Sequence, residues 1–141
     1  MQRHFVALLR AISHLGMQSF RDGMRDLGFT DALSYGMSGN LLFNAADADI
    51  AQLERRVTAR LSTPAIVRTR AQLARIVAQD PFGSSILFLA RTPGTARRQA
   101  FAQLDFTGPP PVIRAKSVYF VYPATLRGKR TPLDFERALS V

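Results

Sequence analysis

Residues 35–43, Tyr-Gly-Met-Ser-Gly-Asn-Leu-Leu-Phe, decide the fold. Two short apolar segments flank Gly36-Met37-Ser38-Gly39-Asn40. Gly and Asn tolerate the positive φ that a tight antiparallel connection requires, so the stretch predicts a strand near 32–35, a turn, and a strand over 40–43. The same turn offers a hydroxyl, an amide and backbone N–H groups, the donor set of a small anion pocket. Arg10, at the end of the first strand, and Tyr35 complete that candidate corner with Ser38, Gly39 and Asn40. Turn chemistry alone accounts for the corner, so a structural hairpin is the simpler reading.

Outward from this hairpin the pattern is strand, helix, strand, strand, helix, strand over residues 4–70. Residues 5–9 form a continuous apolar run, as in a strand covered on both faces. Met17, Phe20, Met24 and Leu27 repeat on one helical face, with Gly23 inside the helix and Gly28 placed to end it. Asp47 or Asp49 can cap a helix carrying Ile50, Leu53, Val57 and Leu61; residues 64–70 read as a strand. A short helix at 71–80 follows, with Leu73, Ile76 and Val77. Residues 84–90 predict another strand. Thr92-Pro93 is a helix start whose buried face would be Ala96, Ala100, Phe101 and Leu104. Strands at 112–114 and 118–122 and a helix opened by Thr131-Pro132-Leu133-Asp134 complete the chain.

The second series echoes the first. "LGFT" at 27–30 returns as "LDFT" at 104–107, and "FVALLR" at 5–10 lies over "ILFLAR" at 86–91. The split βαβ order is that of a ferredoxin-like unit. The expected fold is therefore α+β, with two ferredoxin-like halves in tandem, the second lacking its last strand. The halves are 1–70 and 85–141, bridged by 71–84, in one compact unit overall. The open edge of the strand at 85–90 would be covered either by the strand at 64–70 or by a second molecule. The chain is then a monomer or an edge-strand homodimer.

At 141 residues, 47% apolar and 21% charged, the composition is that of a soluble globular protein. Without cysteine, thiolate catalysis and thiolate metal sites are excluded. The five-residue apolar run near the N-terminus is too short for a signal-peptide core or a membrane span. A cytoplasmic protein with no membrane partner is expected. The net charge is +9, carried unevenly: residues 1–54 have four Arg against six acids, residues 55–141 fifteen cations against four acids. That asymmetry suits an anionic ligand or nucleic acid; solvated Arg on helix faces explains it as well. Arg68, Arg70, Arg75, Arg97 and Arg98 read most simply as such exposed residues.

Arg127, Lys129 and Arg130 stand just before a helix start and could receive a phosphate. Tyr119, Phe120 and Tyr122, near Arg114 and Lys116, have the spacing of a stacking platform for RNA, without the RNA-recognition consensus. Only His4 and His14 are histidines, and neither has a metal-ligand spacing. No phosphate-loop, dinucleotide or nucleophile-elbow motif occurs, so no metal and no cofactor are expected.

"LLRAI", "LGFTDALSYGMSGNLLF" and "YPATLRGKRTPLDFERAL" together resemble the bacterial domain-of-unknown-function family numbered 1697. The resemblance implies a compact α+β fold with ferredoxin-like halves and no established activity. This chain looks like a shortened, divergent member. Ala11, Ser13, His14 and Leu15 stand where the family has Gly, Asn, Val and Gly, and about five loop residues before Met17 are absent. Met37 replaces a Gln, and the family's C-terminal Arg-Asn-Trp segment is lacking. The leading functional expectation is a non-catalytic binding module for an anionic partner, nucleic acid among the candidates. The alternatives are an enzyme acting on a small anionic substrate at the corner of Arg10, Tyr35, Ser38, Gly39 and Asn40, and a degenerate member kept for self-association.

Overall fold

A period of two along the first strand separates the faces of the first sheet. In β1 (Arg3–Leu9), Phe5, Ala7 and Leu9 point into a core, while His4, Val6 and Leu8 face the other way. The structure, a computed structural model, describes residues 3–10, 16–35, 39–46, 49–122 and 132–139. It is α+β, with two antiparallel sheets and, among the described residues, five helices. The chain divides into two units, Met1–Ala74 and Arg75–Val141.

In the first unit β1 is followed by α1 (Met17–Asp26), β2 (Leu33–Tyr35), β3 (Asn40–Ala45), α2 (Ile50–Leu61) and β4 (Ala65–Thr69). The strands lie in the order β2-β3-β1-β4. The core holds Phe5, Phe43, Phe20, Met24, Leu53 and Val57. Phe20 and Met24 are the centre of the stripe read from the sequence, and Gly28 follows the helix at φ +95, as a left-handed cap requires. Asp49 caps α2, accepting from the Ala51 N–H at 3.0 Å; Asp47, the other candidate, lies outside the described residues. Gly23 has a packing reason: a Cβ there would collide with Leu61 Cδ2, so its lack of a side chain sets how closely α1 approaches α2.

The helix α3 (Arg70–Ala78) leaves β4 with no intervening loop. Thr69 and Gln72 make the junction as a reciprocal capping box: the Gln72 N–H donates to Thr69 Oγ1 at 3.0 Å, and the Thr69 N–H donates to Gln72 Oε1 at 2.9 Å.

The second unit contains β5 (Ser85–Phe88), α4 (Thr95–Ala102), β6 (Val112–Arg114), β7 (Ser117–Phe120) and α5 (Pro132–Leu139), with strands ordered β5-β7-β6. Its centre is aromatic: the ring of Phe135 meets those of Phe101, Phe106 and Phe120 edge-on at 5.3–5.8 Å.

Four expectations change. Helix α4 starts at Thr95 after an N-cap at Gly94 that makes no side-chain cap bond; Pro93 is buried ahead of the helix. Ala96 and Ala100 are exposed, because Phe101 alone anchors this two-turn helix. Arg68 is buried, not an exposed cation. Finally, among the described residues β4 pairs within the first sheet, as its edge strand beside β1. Its outward N–H groups are already satisfied: Ala65 by Thr58 Oγ1 at 3.1 Å, Val67 by Glu54 Oε1 at 3.0 Å, and Thr69 by Gln72.

Candidate functional site

The face of the first sheet turned away from its core is ordered in rows by the strand registers. Leu33 pairs with Leu42, Leu42 with Val6, and Val6 with Arg68, so these four form one line across the sheet. Two residues along each strand lies a polar row. His4 pairs with Asn44, Asn44 is bonded to Asp31, and Arg70 follows Thr69, the partner of Phe5. On the other side Tyr35, Asn40, Leu8 and Ile66 make a third row. Strands sit about 4.8 Å apart, so the apolar line from Leu33 to Val6 spans roughly 10 Å.

Val6, Leu42 and Leu33 of the first row and the polar row line a groove of about 290 Å³, to which Leu73 of α3 adds an apolar wall. Leu33 and Leu42 are 63% and 42% exposed on its floor. The polar wall has a determined bonding sense. The Asp31 carboxylate only accepts, so the Asn44 amide turns its NH₂ toward Asp31 and its Oδ1 toward His4 Nδ1 at 2.5 Å. His4 Nδ1 therefore carries the proton, and Nε2 is left as the ring's second polar atom. At the opposite end of the same row the exposed Arg70 guanidinium makes no hydrogen bond or ion pair among the described residues.

Arg68, at the end of the apolar row, is tied down instead. It is 7% exposed, and its Nη1 donates to Val67 O at 2.9 Å and to Glu54 Oε1 at 3.2 Å. The row therefore ends in a neutralised cation, and Arg70 is the groove's available positive charge.

Of the residues singled out from sequence, Arg10, Tyr35, Gly39 and Asn40 are brought to one end of the first sheet. Tyr35 faces Asn40 across the β2–β3 pair and is 71% exposed. Gly39 has φ +92, and its carbonyl accepts the Leu9 N–H at 2.9 Å; the Arg10 N–H reaches Pro64 O at 3.3 Å. Ser38, His14, Arg127, Lys129 and Arg130 lie outside the described residues. The aromatic platform is not formed: Tyr119 is fully buried and Phe120 is 3% exposed, which leaves Tyr122 as the exposed member. The Tyr119 hydroxyl donates to Ile76 O at 2.8 Å. Burial pushes this phenol up from its ordinary 10.0, while the nearby Arg114 charge pulls it partly back.

Sequence reading missed the groove residues His4, Asp31, Asn44 and Arg70. One signal was present: Thr69-Arg70-Ala71-Gln72 is a capping-box pattern, which would have started α3 at Arg70.

The model of a family described as protein of unknown function (DUF1697) matches residues 1–119. No curated protein matches the chain. Among solved structures, the conserved bacterial protein SP0830 from Streptococcus pneumoniae is similar at 20% identity, with 96% of this chain and 91% of that chain covered and a TM-score of 0.61. A likeness at that identity is one of fold.

Proposed function

The chain belongs to the DUF1697 family, and on that premise we propose that it is a non-catalytic binding module for an anionic partner, with the open face of the first sheet as its contact surface. The Arg70 guanidinium, unpaired among the described residues and beside an exposed apolar groove, carries this reading. A pocket with mainly apolar lining and a few convergent polar groups is the usual form of a small-ligand site. The net charge of +9 supports an anionic partner. Nucleic acid is the weaker form of the proposal, since base stacking draws on exposed aromatics and Tyr119 and Phe120 are core. We read both units as ferredoxin-like halves. In each, the first strand pairs with the third and the second with the third, with helices at matching places in the order. The absence of cysteine fits work in the reducing cytoplasm, and no described helix is long and apolar enough to cross a membrane.

The test is a thermal-shift screen of the full chain against organic acids, nucleotides, phosphosugars and short oligonucleotides at low salt. A stabilising anion is expected, and a flat response to every class would overturn the proposal. Self-association is a second reading, favoured by the outer edge of β5, which has no strand partner among the described residues. A mass of 15.6 kDa at all concentrations would dismiss it.

A further inference from the structure

We infer that the groove on the first sheet takes a small organic acid with one carboxylate and a short aliphatic chain, the carboxylate at Arg70 and the chain along Val6, Leu42 and Leu33. The inference rests on the binding reading above and narrows it to a ligand class.

Three observations converge on that class. The floor is a straight apolar line of roughly 10 Å, two strand spacings, which suits an extended chain of about eight carbons. Its leucines are exposed although they lie beside a fully packed core, so a covering chain would remove apolar surface from water. Among the described residues, the groove offers one available cation. A guanidinium presents a planar fork that matches a carboxylate in two parallel hydrogen bonds, and Arg70 has nothing else to hold among the described residues.

The far end of the polar row sets the limit on charge. Asp31 stands at the β2 side of the groove, bonded to Asn44. A second acidic group on the ligand would approach this carboxylate or lie on the leucine floor, and both are unfavourable. The groove therefore selects a monoanion over a dicarboxylate, and the chain's length and apolarity over a bare inorganic anion.

The experiment is a titration of the ¹⁵N-labelled full chain with octanoate, octanol, octanedioate, inorganic phosphate and a short oligonucleotide, followed amide by amide. Octanoate is expected to saturate, with shifts centred on Val6, Leu33, Leu42 and Arg70. Octanol and octanedioate should each bind at least about tenfold more weakly, and Arg70→Gln should weaken octanoate by about tenfold, the loss of a charge-assisted hydrogen bond. Arg70 is exposed, and the variant's own spectrum reports whether its fold is intact. Octanol binding as tightly as octanoate, an Arg70→Gln variant of unchanged affinity, or octanoate shifts elsewhere on the chain would each overturn the inference. Phosphate or oligonucleotide binding without octanoate binding overturns it too, but leaves the anion-binding module standing. If no anion shifts any amide, both fall.

Discussion

Gly23 shows how one missing side chain is weighed against helix propensity. Glycine inside α1 costs about 1 kcal/mol relative to alanine. A Cβ there collides with Leu61 Cδ2, and overpacking of a core costs about 1–3 kcal/mol. Gly23→Ala is therefore expected to destabilise by up to about 2 kcal/mol in urea unfolding. In a Leu61→Ala background, where the colliding atom is gone, the same change should stabilise by about 1 kcal/mol. A Gly23→Ala effect of the same sign in both backgrounds would show that Leu61 is not the cause. Glu54 is the second residue whose role exceeds its appearance. One carboxylate oxygen holds both the Val67 N–H and the buried Arg68 guanidinium. Glu54→Ala should cost about 2–3 kcal/mol by leaving the Val67 N–H without its acceptor and the buried Arg68 guanidinium without this counter-charge; Glu54→Gln, which keeps an acceptor, should cost about 1 kcal/mol. Equal losses for the two would mean that the charge, not the acceptor, carries the effect. Arg68 was misread from sequence for a definable reason. A lone Arg in a strand looks solvated, and its partner lies 14 positions earlier on a helix that pattern alone does not bring to that edge.

Among the elements, β3 and α1 were legible because each carries a complete local argument: turn residues and alternation for one, an apolar stripe closed by a glycine for the other. The start of α4 was not. Thr92-Pro93 has the composition of a cap, but Pro93 is drawn into the interior and Gly94 begins the helix without a side-chain bond. The groove was illegible for a different reason. Asp31, Asn44, His4 and Arg70 meet only through three strand registers, and no local pattern states a register. The edge of β4 carries its own prediction. Thr58, Glu54 and Gln72 occupy the N–H groups that would otherwise recruit another strand. Replacing Thr58 by Val and Gln72 by Ala together should raise the weight-average mass with concentration above that of the unaltered chain. Identical light-scattering dilution curves for the two proteins would show that the caps do not guard this edge.

For the molecule as a whole, Tyr119 links the second unit's stability to alkaline pH. Its phenol is raised in the folded state by burial, so folding favours the neutral form. This contribution is complete below the unfolded value near 10 and is lost as the pH climbs from there through the folded value. Tyr119→Phe removes the hydroxyl and its bond to Ile76, at a cost of about 1 kcal/mol near neutrality. The variant should also lose less stability than the unaltered chain when urea midpoints are compared at about pH 8 and about pH 11. Parallel declines in the two proteins would locate the alkaline sensitivity elsewhere. The α+β class and the family were readable at this scale because element order and the hairpin motif survive in one chain. The proposed contact face was not, because charge counts say how many cations exist but not that Arg68 is paired with Glu54 while Arg70 makes no hydrogen bond or ion pair among the described residues.

The seamless passage from β4 into α3 has a rotational consequence. Since no loop separates strand from helix, the pleat of β4 sets the azimuth at which α3 begins, and Arg70 and Leu73 reach the groove only because that angular phase is right. One alanine inserted between Thr69 and Arg70 would advance the helix by about 100° and 1.5 Å, a screw displacement with no slack to absorb it. It breaks the capping box, at about 1 kcal/mol, yet every side chain of the sheet and of the helix is retained. Octanoate affinity should collapse to that of octanol while the β1–β3 amide resonances keep their positions. The junction then works as an index mark, a fixed angle at which the strand hands its cation to the groove.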